Sequence, residues 1–298
     1  MIKMTATLRR ELQCLGMGVR SPTTQRNTSR RMKITLGGAA VVSLLLAANG
    51  AIAATVEQTA QDEELTIGQE TFNELKARSE IIDSSPLYDV LLPVIQPIMQ
   101  AAQARYNHPF KVYLVHEAQP NAFATPGGYI YVVDALLYFA KNKEELAGTL
   151  CHEIAHTLHH DSMTLLEKEK RLRWREVGGV ILVGPTRAHI LAIALLGKLH
   201  SLLYSRQAEA RADLTGADVC AAAGSNPWGL VWLFQEFKDA RTTEIPQLLS
   251  DHPNDQHRID ALERHFKSDS GVFGRFDPNL RSATPFEVPK RAPEVFLR

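Results

Sequence analysis

Apolar positions recur along this chain in two rhythms. From Gln61 to Ser79 they fall on one face at helical spacing, which predicts an amphipathic helix. Ser85-Pro86 opens a second helical stretch, in which Pro93 and Pro97 are expected to cause kinks. Phe110–His116 and Tyr129–Val133 are short runs rich in β-branched and aromatic residues and read as strands. A tight turn at Gly127-Gly128 feeds the second. Asn142, with Glu145 three residues on, resembles a capping box opening a further helix. Asn226-Pro227 starts a helix reaching about Ala240, and Asp255 starts one carrying Ile259, Leu262 and Phe266. Many helices and few strands predict an α+β fold.

Two apolar stretches need separate treatment. Ile34 to Ala48 follows a basic segment in which Glu11 is the single acid, and it ends in Ala51-Ile52-Ala53-Ala54. That order of basic, apolar and small residues predicts a secretory signal with cleavage after Ala53, so residues 1–53 are set aside as leader and signal peptide. Met32 is an alternative start. An Arg-rich, acid-poor leader is also compatible with a mitochondrial presequence, and an apolar stretch of about 20 residues with an uncleaved inner-membrane anchor. The second stretch, Val177 to Leu203, is broken by Gly184-Pro185-Thr186-Arg187, after which Lys198 and His200 interrupt it again. Neither piece reaches the roughly 20 residues a span needs, so a buried or groove-lining helical hairpin is expected, with peripheral membrane contact left open.

The helix opened by Asn142 carries His152-Glu153-Ile154-Ala155-His156. Residues four apart share a helix face, so both imidazoles can reach one ion at about 2.0–2.1 Å. Glu153, one step round, can act on a water at that ion as a general base. Leu146, Ala147, Leu150, Ile154 and Ala155 make the surroundings apolar, and histidines buried there need a partner. Position 162, where a third ligand histidine would indicate a metzincin, is serine. His159 and His160 read as solvated residues at the helix end. Glu209 and Asp213 share one face of a second helix: Glu209 is the candidate third ligand, and Asp213 can hold the free ring N–H of a ligand histidine.

These motifs, with His252-Pro253, Arg258-Ile259 and Asn121–Val132, resemble the HtpX and CAAX-prenyl-endopeptidase family of gluzincins, more narrowly its soluble periplasmic members. The resemblance spans about residues 62–265. It implies a mainly helical zinc metallopeptidase domain over 54–267, with a small sheet at the cleft edge and one Zn²⁺ per chain. By resemblance His152, His156 and Glu209 are the zinc ligands and Glu153 the base. His252 would lie beside the metal, either steadying an oxyanion or transiently filling the open position. Arg258 would hold its loop, with Asp213 one possible partner. Gly127, Gly128, Tyr129 and Ile130 are expected on the strand edge that binds substrate backbone, although a plain hairpin fits the pattern equally. The implied function is a zinc endopeptidase acting on polypeptides, misfolded envelope proteins among them, in the periplasm. The alternative is a chaperone-like binding protein with a self-inhibited metal site.

Formal net charge is zero, which argues against nucleic-acid binding. Beyond the leader, Cys151 and Cys220 are the cysteines; Cys151 reads as a small buried apolar residue, with a Cys151–Cys220 bridge as the other possibility. Residues 268–298 are rich in Ser, Gly and Pro and form either a linker-like end or an arm packed on the domain.

Overall fold

The computed structural model describes residues 58–59, 61–168, 185–196, 204–239, 252 and 256–290. The signal sequence, the possible start at Met32 and most of the Val177–Leu203 stretch lie outside them. The fold belongs to the unit Ala54–Arg298.

Helix α1 spans 61–77, followed by β1 (Ile81–Ile82) and α2 (Leu87–Gln103). α2 continues through Pro93 and Pro97 as one element and buries Leu91, Ile95 and Ile98. Next come β2 (Lys111–Val115), β3 (Ala122–Thr125), β4 (Tyr129–Val133) and α3 (Asp134–Phe139). α4 (Lys143–Leu158) carries the His-Glu-x-x-His motif, and α5 spans 161–168. α6 is described over Pro185–Leu196, so Pro185-Thr186-Arg187 lie within it rather than breaking it. α7 (Arg206–Ala222), α8 (Trp228–Asp239), α9 (Gln256–Ser268) and the short α10 (Ser270–Phe273) complete the helices. Among the described residues, no helix is long and apolar enough to cross a membrane.

The strands form one sheet in the order β1-β2-β4-β3. β2 and β4 run parallel, while β3 folds back on β4 as an antiparallel hairpin. This corrects one expectation. Tyr129 and Ile130 lie in a strand paired on both sides, so their backbone groups are already spent. The edge is β3. Gly127 and Gly128 also serve the turn rather than a ligand. Both are buried at φ 77° and 82°, a region only glycine enters cheaply, and a Cβ on Gly128 would meet the Pro109 carbonyl oxygen at 2.7 Å. The plain hairpin is what forms.

One face of the sheet packs on α2 and α4 through Leu114, Ile130, Val132, Leu150 and Ile154. The other face packs on α1 and α6 through Ile67, Tyr129, Tyr131, Ala188 and Leu195. α7, α8, α9 and α10 share a third cluster around Leu230, Ile259, Leu262 and Phe266. The tail is an arm over its described part: Phe286 and Val288 pack against the first core, and Thr284 accepts a hydrogen bond from the Lys143 N–H.

Candidate metal centre

α4 starts where Asn142 accepts the Glu145 N–H at 2.9 Å, and Glu145 in turn accepts the Asn142 side-chain amide at 2.6 Å. Glu145 also accepts the Lys141 N–H at 2.9 Å, so Asn142 caps the helix and Glu145 reaches back one residue further than in a standard capping box. Behind the motif, α4 runs close to two helices. A Cβ on Gly148 would meet the Leu230 nitrogen at 2.5 Å, and one on Gly216 would meet the Cys151 backbone at 3.1 Å. The Gly216 contact brings α7 against the motif turn of α4. Cys151 and Cys220 are bridged across that contact, with Cα atoms 5.8 Å apart, so the second of the two readings holds and the cysteines are a cross-link.

α7 starts at Ser205, whose hydroxyl accepts the Ala208 N–H at 3.2 Å. This places Glu209 in its first turn, facing α4. His152, His156, Glu209 and His252 each present one donor atom, all within 4.8 Å of one another, and all four side chains are buried. The Nε2 atoms of His152 and His156 are 3.0 Å apart. Glu209 oxygens lie 3.3 Å from His152 Nε2 and 3.7 Å from His156 Nε2. His252 Nδ1 lies 3.2 Å from His152 Nε2 and 2.9 Å from Glu209 Oε1. Ligands 2.0–2.1 Å from a tetrahedral zinc sit about 3.3–3.4 Å apart, close to these separations. The donor set therefore fits zinc.

The charge balance agrees. Burial pushes the His152 imidazole down, but its contacts with Asp213 and Glu209 outweigh burial and raise it to about 9. Burial drives His156 down to about 3. Burial raises Glu209, but His152 and His252 outweigh it and hold the carboxyl far below its usual range. An acid-rich pocket that draws a proton onto one imidazole is a pocket a cation would neutralise.

The far sides of the imidazoles are held as the sequence reading expected, and further. His152 Nδ1 lies 3.0 Å from Asp213 Oδ1. Arg258 grips both Asp213 oxygens at 2.7 Å, donates to the His252 carbonyl at 3.1 Å and lies 3.1 Å from Glu209. Its guanidinium covers the Phe234 ring at 4.5 Å. Burial raises Asp213, yet Arg258 outweighs it and keeps the carboxyl ionised and low.

Sequence reasoning missed two groups. Asp161 lies 2.8 Å from His156 Nδ1 and is itself paired with Arg211. Tyr204 stacks on His156 with ring centroids 4.1 Å apart and planes 16° apart. Asp161, five residues past a ligand histidine, was the available signal. His159 and His160 are not merely solvated: His159 lies 2.8 Å from the Thr215 hydroxyl, and His160 lies 2.9 Å from the buried Glu64.

Residues 90–265, more than half the chain, match Peptidase family M48. The chain belongs to this family, whose members are zinc metallopeptidases. It is similar to Mitochondrial metalloendopeptidase OMA1 of Saccharomyces cerevisiae, 24% identical over 72% of this chain and 67% of that protein. It is 28% identical to the Beta-barrel assembly-enhancing protease of Yersinia pestis over 68% of this chain. That match spans only 44% of the Yersinia protein. The Protease HtpX homolog of Aquifex aeolicus is 28% identical over 57% of this chain and 70% of its own length.

Proposed function

We propose that this M48 member is a zinc-dependent endopeptidase whose site rests in a self-restrained state. The observation that carries the reading is the convergence of His152, His156 and Glu209 on one point, with Glu153 beside that point on the same helix. When bound, zinc supplies a Lewis acid for the scissile carbonyl and lowers the pKa of the attacking water. Glu153 takes that water's proton and delivers it to the leaving amine. Asp213 and Asp161 hold the two motif imidazoles in the ligating tautomer. Arg258 keeps Asp213 charged and anchors the backbone at His252.

His252 supports restraint. Its Nδ1 joins the donor set while its Nε2 lies 3.3 Å from Glu153 Oε1, so one ring covers the fourth position and the base together. Displacing it would open both. The polypeptide would then add to the outer edge of β3, the β-augmentation mode, taking over the Ala122 N–H from Asn121 Oδ1 and sharing the Ala124 carbonyl with Ser162. The Val133 N–H bonds the Asn121 carbonyl, so alternate residues of β3 face β4 and Ala122 and Ala124 face outward.

The Yersinia relative's name, a beta-barrel assembly-enhancing protease, supports our reading of a role in envelope protein quality control, with misfolded envelope proteins as the proposed substrates. The basic-apolar-small order of residues 1–53 supports export to the periplasm. The test is zinc content and casein cleavage on one purified preparation. About one zinc per chain is expected, with cleavage lost to chelator and restored by zinc. Stoichiometric zinc without cleavage, even after His252→Ala, would favour the chaperone-like alternative; absence of both would overturn the zinc centre itself.

A further inference from the structure

We propose that Tyr204 is a positioning residue with two separable tasks: its ring sets the plane of His156, and its hydroxyl holds the outer edge of β3 through Ser162. The second task rests on β3 being the strand that receives an extended polypeptide. Tyr204 immediately precedes Ser205, the hydroxyl cap of α7, so its backbone is fixed by the same helix start that places Glu209. Its ring lies nearly parallel to the His156 imidazole at 4.1 Å and 5.6 Å from the His252 ring. Asp161 grips His156 only at Nδ1, which fixes where the ring points but leaves its tilt free. The flat face of Tyr204 removes that freedom.

The hydroxyl runs the other way. Ser162 Oγ lies 3.0 Å from the Ala124 carbonyl and 3.1 Å from the Tyr204 hydroxyl. A serine has one hydroxyl proton, and the carbonyl, which only accepts, takes it; Tyr204 must therefore donate to Ser162. The relay is directional, from Tyr204 O–H to Ser162 O–H to the Ala124 carbonyl. Ala124 is one of the two outward-facing residues of β3, so the relay ends on a group that an incoming peptide strand would pair with. By orienting that carbonyl, the stack on a zinc ligand and the register of the bound peptide are held by one side chain.

Substitutions separate the tasks. Tyr204→Phe keeps the ring and removes the donor. It should hold zinc within twofold of the parent in chelator competition, yet raise KM for a peptide roughly 3- to 10-fold, the worth of one hydrogen bond. Its kcat should stay within about twofold. Ser162→Ala should raise KM by the same factor. The Tyr204→Phe/Ser162→Ala double variant should be no worse than either alone, because all three break one relay. Tyr204→Ala should also weaken zinc by about 10–100-fold, as loss of a ligand-orienting contact does. Tyr204→Leu, which preserves apolar volume, gives the same zinc comparison should the alanine form not fold. Peptide affinity of Glu153→Gln forms supplies the substrate arm without turnover, so an inactive parent would count against the peptidase reading and not against the relay. An unchanged KM or peptide affinity in Tyr204→Phe, fully additive losses in the double variant, or parental zinc retention without the aromatic ring would overturn the proposal.

Discussion

His252 Nε2 lies 3.3 Å from Glu153 Oε1, while the opposite nitrogen of the same ring lies 2.9 Å from Glu209. A residue a hundred positions from His152 in sequence thus links Glu153 to Glu209. On the proposed reading, the ring must move aside before substrate reaches both groups.

Replacing His252 with alanine should therefore raise cleavage of casein or a misfolded protein at matched zinc content, since the fourth position and Glu153 are both uncovered. If the ring instead donates to an oxyanion during turnover, the same variant would lose roughly 10²–10³-fold. Rates measured beside the parent distinguish the two, and an unchanged rate would leave His252 without a part in catalysis.

Glu153→Gln should keep zinc and lose about 10²–10⁴-fold in turnover, the usual worth of a general base. The carboxylate sits beside the donor set rather than within it. Metal analysis and a peptidase assay on one preparation decide the matter; parental activity in the variant would reject Glu153 as the base.

Glu209→Ala should release the metal, whereas Asp213→Asn should weaken zinc only about 10–100-fold by freeing the His152 ring. Arg258→Ala is a different kind of lesion. It strands the Asp213 charge, with both side chains more than nine-tenths buried, and should cost about 3–5 kcal/mol of stability. Thermal unfolding of the zinc-loaded proteins should rank Arg258→Ala well below Asp213→Asn. Equal midpoints would mean that Arg258 does not stabilise the buried carboxylate.

The Cys151–Cys220 bridge closes a loop with a sequence separation of 69 across the two helices that carry the motif and Glu209. Loop-closure entropy gives such a cross-link about 4 kcal/mol, enough to lower Tm by about 10 °C on reduction in a domain of this size. Thiol titration of the denatured, unreduced full chain should find Cys14 alone; three reactive thiols would rule the bridge out.

A pH effect should come from Glu64 and His160, away from the metal. Burial raises Glu64, but hydrogen bonds from His160 and Tyr106 outweigh it and lower the carboxyl below its usual 4.5. The Glu64 hydrogen bond raises His160 above 6.5. The lowered carboxyl contributes stability above pH 4.5 that is lost as pH falls through its folded value. The raised imidazole contributes stability below pH 6.5 that is lost as pH rises through its folded value. The pair is strongest between these limits. His160→Asn should thus cost most between pH 4.5 and 6.5 and progressively less as pH rises through the folded imidazole's raised value, and a pH-independent difference in Tm would refute the pairing.

Much of the site was legible in the chain because helical spacing is local. His152 and His156 are four positions apart, as are Glu209 and Asp213, so each pair shares a face wherever its helix packs. The Asn142 cap and the helix start after Asn226-Pro227 are likewise local chemistry. What spacing cannot specify is how the faces meet. Gly216 against the Cys151 backbone is a tertiary contact, and it brings α7 to α4 so that Glu209 reaches the two imidazoles. The same holds for the strand edge. Tyr129 and Ile130 alternate and bury as any strand would, and only pairing with β2 on one side and β3 on the other removed them from the edge. Asp161 and Tyr204 escaped notice for a related reason. Nothing near Tyr204 marks it, and the one cue for Asp161 is its place five residues past His156; their partner ring is brought to them by the chain reversal after α4 and by the start of α7.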